Sequence, residues 1–81
     1  MRIDVLLFAA AREKAGTDRL SVELPDGATV AHLWQRLAAD RPPLAAALAS
    51  CRAAVDEEFA PASAVLRDGA VVAVLPPVSG G

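Results

Sequence analysis

The chain has one cysteine, one histidine, one tryptophan, two phenylalanines and no tyrosine in 81 residues, and each shortage removes a class of chemistry. A lone thiol, Cys51, can form neither an internal disulfide nor a cysteine cage for a metal, and it suits a reducing, cytoplasmic setting better than a secreted one. With His32 as the single imidazole there is no histidine-based triad, and the five glycines form no phosphate-cradling loop. No metal site is expected: His32 reads as a solvated residue in the first turn of a helix, and Asp56-Glu57-Glu58 as a solvated acidic turn. Long apolar runs are missing too. Arg2 and Asp4 interrupt the only apolar stretch near the N-terminus, so neither a signal peptide nor a membrane span is expected. Eight basic residues against ten acidic ones, without a basic block, argue against nucleic acid or an anionic membrane as the main partner. A chain of this length buries about 60–65% of its unfolded surface, which makes one core and leaves no room to enclose a substrate. A protein partner is the better expectation.

What is present reads as alternating strands and helices. Ile3, Val5 and Leu7 share one side of a first strand, with Arg2, Asp4, Leu6 and Phe8 on the other. Ala9 to Ala15 is a short helical turn closed by Gly16, and Arg19 to Leu24 alternates polar and apolar residues as a half-buried strand antiparallel to the first. Pro25-Asp26-Gly27 turns the chain. Thr29 caps a helix whose apolar stripe is Val30, Leu33, Trp34 and Leu37, with Trp34 expected in the core. His32 stands where the glutamate of a reciprocal capping box belongs, so no such box is expected. Pro42-Pro43 stop this helix, and Leu44 and Leu48 mark a short one. Arg52 to Val55 is a weak strand, and Phe59 begins a short return. Arg67-Asp68-Gly69 is a turn of the hairpin type leading to the aliphatic strand Val71 to Leu75. That last run predicts burial on both faces, hence a central position beside the first strand and parallel to it. The fold expected is α+β, a β-grasp of the ubiquitin-like kind: a mixed sheet of four to five strands in residues 1–75, with one main helix packed across it.

Residues 76–81, Pro-Pro-Val-Ser-Gly-Gly, then form an extended tail. The prolines force an abrupt exit from the strand. Six residues at roughly 3.1–3.3 Å each carry a carboxylate on the order of 19 Å beyond the sheet. Terminal glycines, lacking Cβ, let that carboxylate approach another protein's catalytic groups closely.

Two segments resemble the small subunit of molybdopterin synthase, the sulfur carriers of the MoaD type. They are Phe8-Ala9-Ala10-Ala11-Arg12-Glu13-Lys14-Ala15-Gly16, which is similar to the family's F-A-x-x-R-E-x-x-G pattern, and Pro76 to Gly81. The resemblance implies a carrier without its own active site and without a bound cofactor. Gly81, with Gly80 before it, would be the reactive terminus, held as a glycyl adenylate and then as a 1-thioglycine thiocarboxylate. It further implies partner contacts through Phe8, Arg12, Val74, Leu75, Pro76, Pro77, Val78 and Ser79. The partners implied are a MoaE-like large subunit of molybdopterin synthase, a MoeB-like adenylyltransferase related to ubiquitin-activating enzymes, and a persulfide protein as sulfur donor. In the family, aromatics are frequent where Val74 and Leu75 stand. Thiamine-pathway sulfur carriers and ubiquitin-like protein modifiers also end in Gly-Gly and are the alternatives.

Overall fold

The computed structural model describes residues 1–77. Strand β1 (Arg2–Leu7) leads into helix α1 (Ala9–Ala15) and strand β2 (Arg19–Glu23). The helices α2 (Val30–Asp40) and α3 (Leu44–Leu48) follow, then strands β3 (Arg52–Val55), β4 (Glu58–Ala60) and β5 (Val71–Leu75). The strands form one mixed sheet in the order β2-β1-β5-β3-β4. β5 runs parallel to β1, Val5 beside Val72, and antiparallel to β3, Ala53 beside Val74. The β-grasp expectation, with the last strand central, matches this sheet.

Burial follows the pleat. Ile3, Val5 and Leu7 of β1 and Val72 and Val74 of β5 are buried on the face covered by Leu33 and Leu37 of α2 and by Leu44 and Leu48 of α3. Each such side chain, fully withdrawn from water, contributes about 1.5–3 kcal/mol. Trp34 is only half-buried; its indole N–H donates to the Leu48 carbonyl at 3.1 Å and ties α2 to α3. α1 ends as expected at Gly16, whose φ of 76° belongs to the left-handed region and whose N–H returns to the Arg12 carbonyl. The Arg41 guanidinium satisfies the Ala15 carbonyl at 2.7 Å.

Several local expectations are corrected. The capping box at α2 does form: the Thr29 N–H donates to His32 Nδ1 at 2.9 Å while the His32 N–H reaches Thr29 Oγ1. A neutral imidazole with its proton on Nε2 has the same lone pair to offer that a glutamate would. The β3–β4 connection is a two-residue hairpin in which Asp56 and Glu57 both have positive φ, 48° and 72°. That is the requirement of a type I′ turn, met without glycine because Asp56 is anchored twice. Its N–H donates to the Val71 carbonyl and its Oδ1 accepts from the Val71 N–H. Asp68-Gly69, by contrast, makes no hairpin. β4 pairs with β3, whereas β5 pairs with β1 and β3, and the turn clips onto β1 through Asp68 Oδ1 and the Arg2 N–H at 2.7 Å. Among the described residues, β5 is covered on one face only. Val71, Ala73 and Leu75 are half-buried on a side that no helix crosses.

The edge strand β2 is guarded against pairing. Arg36 Nη1 occupies the Glu23 carbonyl at 2.9 Å and the Thr17 hydroxyl bonds the Arg19 backbone, which removes edge groups a foreign strand would need.

The capping box is testable by urea denaturation. Thr29→Ala and His32→Ala should each cost about 1 kcal/mol at neutral pH, and the double variant clearly less than the sum, because both remove the same box. Glu57→Gly should stabilise the protein by about 0.5–1 kcal/mol, since glycine adopts the positive φ without strain.

Candidate functional site

The end of β5 sets the position from which the tail departs. By register, Leu75 stands beside Arg52 of β3; the β1–β5 pairing ends at Leu7 and Val74, after which Phe8 and Leu75 are the next residues of the two strands. Pro76 and Pro77 are exposed and lie outside any strand. Val78, Ser79, Gly80 and Gly81, the reactive and distal part of the expected site, lie outside the described residues.

Phe8 is 44% exposed although aromatic. It closes β1 in extended conformation, and the chain then turns into α1 through Ala9, whose φ of 51° lies in the left-handed region that non-glycine residues seldom occupy. Such strain, of order 1 kcal/mol, persists only where the surroundings over-determine it. The bend leaves the ring of Phe8 on the surface beside the root of the tail. Arg12, four residues on, is exposed on α1.

Val74 is corrected. It is 0% exposed, because its register neighbours Leu7 and Ala53 place it on the helix-covered face. Its side chain therefore belongs to the core and reaches no partner. Leu75, one residue on, faces the open side, as the period of two requires.

The open face also assembles residues that were not singled out from sequence. Leu6, Ala73, Ala54 and Phe59 are successive cross-strand neighbours. Phe59 is 68% exposed, with the Arg52 guanidinium 5.0 Å from its ring centroid, within the range of a cation–π contact. A signal for this face existed in the sequence: Leu6 and Phe8 are apolar residues on the otherwise polar side of β1. An exposed apolar sheet surface with aromatic and arginine anchors has the make-up of a protein interface.

Beside the start of β3 lies a groove of about 570 Å³ walled by Val30, Ala31, Trp34, Phe59 and Pro61. Its ionisable lining residues are Cys51 and Arg52. Burial pushes the Cys51 thiol up from its ordinary value, toward the protonated and less nucleophilic form. Among the described residues no three of the His, Cys, Asp and Glu side chains are placed to hold a metal ion, and no helix is long and apolar enough to cross a membrane.

Comparison with known proteins shows the family. The model of the ThiS family matches residues 5–81. The chain belongs to the ThiS family. Within that family it is 39% identical to the molybdopterin synthase sulfur carrier subunit of Chlamydomonas reinhardtii, each chain covered in full. Among solved structures it is similar to a putative molybdopterin converting factor, subunit 1, from Pyrococcus furiosus, with 30% identity, a TM-score of 0.88, and 96% and 99% of the two chains covered. It is also similar to SAMP1 from Haloferax volcanii, with 26% identity, a TM-score of 0.90 and both chains covered in full. The ubiquitin-like fold inferred from the sheet is that of these neighbours.

The opposite orientations of Val74 and Leu75 make a paired test. Val74→Ala should destabilise the fold by roughly 2 kcal/mol while leaving partner binding per folded molecule unchanged. Leu75→Ala should barely move the melting temperature and should weaken partner binding severalfold, as read by calorimetry.

Proposed function

We propose that the chain is a sulfur carrier for molybdenum cofactor synthesis, acting in the cytoplasm as the small subunit of a molybdopterin synthase. One observation carries the reading: in a chain that aligns over its full length with a molybdopterin synthase sulfur carrier subunit, the Gly-Gly segment follows directly from the central, doubly paired strand. A carrier needs a rigid body and a terminus that another protein's active site can take up, and four residues of sequence, Pro76 to Ser79, separate β5 from Gly80-Gly81.

The chemistry follows from the terminus. A C-terminal carboxylate is ionised near neutrality and inert to nucleophiles until one oxygen becomes part of a leaving group. A MoeB-like enzyme supplies this by joining the Gly81 carboxylate to AMP with loss of pyrophosphate. The outer sulfur of a persulfide donor then displaces AMP to give an acyl disulfide, and a second thiol, acting as reductant, cleaves its S–S bond, leaving a disulfide on the donor and the thiocarboxylate on Gly81. The MoaE-like large subunit receives the loaded tail and passes the sulfur to the dithiolene of molybdopterin. Gly80 keeps the inserted segment narrow, and Pro76 and Pro77 limit the entropy lost on insertion. The open face with Phe8, Leu75 and Phe59 supplies the docking surface, with Arg12 beside it on α1.

The likeness to the small archaeal modifier protein SAMP1, at 26% identity, favours a second reading in which Gly81 is joined to lysines of other proteins. One experiment separates the two. Incubated with its activating enzyme, ATP, a persulfide donor and a thiol reductant, the carrier gains about 16 Da at Gly81 as sulfur replaces oxygen. A modifier instead yields lysine-linked adducts that survive thiol reductants. Deleting Gly81 abolishes either product with the melting temperature unchanged, and retention of molybdopterin synthesis by that variant overturns the carrier reading.

A further inference from the structure

Charge is sorted along the strand direction. At the end where β5 runs out, Arg52 stands beside Leu75 and Arg19 beside Leu6. α1, which joins the adjoining ends of β1 and β2, adds Arg12 and Lys14. All four are exposed, and none makes an ion pair among the described residues. Glu13 and Asp18 are the acidic residues of this segment between β1 and β2. The other end is acidic. Glu23 pairs in register with Arg2, Asp26 lies 4.0 Å from the N-terminal amine, and the turn Asp56-Glu57 runs into Glu58. Arg2 is engaged by Asp4 there, at 3.5 Å.

Keeping like charges together costs repulsion that interspersed charges avoid. The separation also coincides with the functional axis: the cationic pole surrounds the root of the tail, and the acidic pole is farthest from it. The six residues of β1 span about 20 Å, more than two Debye lengths of about 8 Å at physiological ionic strength. An approaching surface therefore feels one pole or the other, not the net charge.

We propose that this polarity steers the carrier tail-first onto a partner whose receiving mouth is edged with carboxylates facing Arg12, Arg19 and Arg52, with Phe8 and Phe59 seated on apolar surface between them. The inference rests on the sulfur-carrier reading for the identity of the partner, and on charge placement alone for the chemistry of its rim. Steering acts on the rate of encounter, whereas the packing of Phe8 and Phe59 acts on dissociation.

Stopped-flow association of the full chain with the molybdopterin synthase large subunit of the same organism tests it. Arg19→Glu and Arg52→Glu are compared with Arg67→Glu, which changes net charge equally but lies in the turn region that clips onto the acidic end. At about 20 mM salt the two tail-end variants should associate roughly tenfold more slowly than wild type, converging with it at about 500 mM. Arg67→Glu should stay within about twofold of wild type throughout. Arg19 takes no part in the Phe59 stack, so its variant keeps the test valid if Arg52→Glu perturbs the hairpin. Equal slowing by Arg67→Glu, or association indifferent to salt, overturns the steering proposal while leaving the partner intact. No association by wild type overturns the partner reading, and the steering proposal with it.

Discussion

β5 is hydrogen-bonded along both edges, parallel to β1 and antiparallel to β3, and the rest of the molecule is arranged to make that possible. Parallel pairing of the first and last strands requires a crossover, which α2 and α3 supply while covering the sheet with Leu33, Leu37, Leu44 and Leu48. The β3–β4 hairpin then closes the remaining edge of β5, held by the two bonds between Asp56 and Val71. The residue at which this pairing ends, Leu75, is the residue at which the tail begins. Structure and function thus meet in one strand: Val72 and Val74 anchor the core, while Val71, Ala73 and Leu75 on the other side of the same pleat belong to the open face.

Much of this was legible because period-2 and period-3.6 patterns report burial directly. Ile3, Val5 and Leu7, and Val30, Leu33 and Leu37, mark their core faces without ambiguity. The errors have physical causes. An aliphatic run such as Val71 to Leu75 reads the same whether its second face is covered by a helix of its own chain or left apolar for a partner, so double burial was the wrong inference from a correct strand. The capping box was missed because an imidazole nitrogen is not the customary acceptor. A turn was expected at Asp56-Glu57-Glu58, but its type I′ form was not, because Asp56 and Glu57 adopt positive φ with anchoring that only the tertiary structure supplies. Val74 was placed among partner contacts by the family resemblance, when its parity along the strand assigns it to the core.

The candidate site was legible unevenly. Phe8, Arg12, Leu75 and the prolines carry a local pattern, and Phe8 and Leu75 are the residues that follow the last β1–β5 pair, with the prolines next in the chain. Arg52 and Phe59 carry none, because they reach the same surface through the β3–β4 pairing, and a weak strand with a three-residue return gives little periodicity to read. The cationic pole depends on register for the same reason: Arg12, Arg19 and Arg52 are scattered along the chain and come to one end of the sheet only once the strand order is known.

The tail grows from the central strand of the sheet, and in the proposed carrier role the terminus is taken up and modified by other proteins without loosening the fold. Native-state hydrogen exchange of the β5 amides, in the full chain and in one ending at Pro77, addresses this directly. The account predicts that Val72 to Val74 exchange only through global unfolding, with the same protection in both chains. Exchange of those amides through a smaller local opening, or a loss of protection when residues 78–81 are removed, would contradict it.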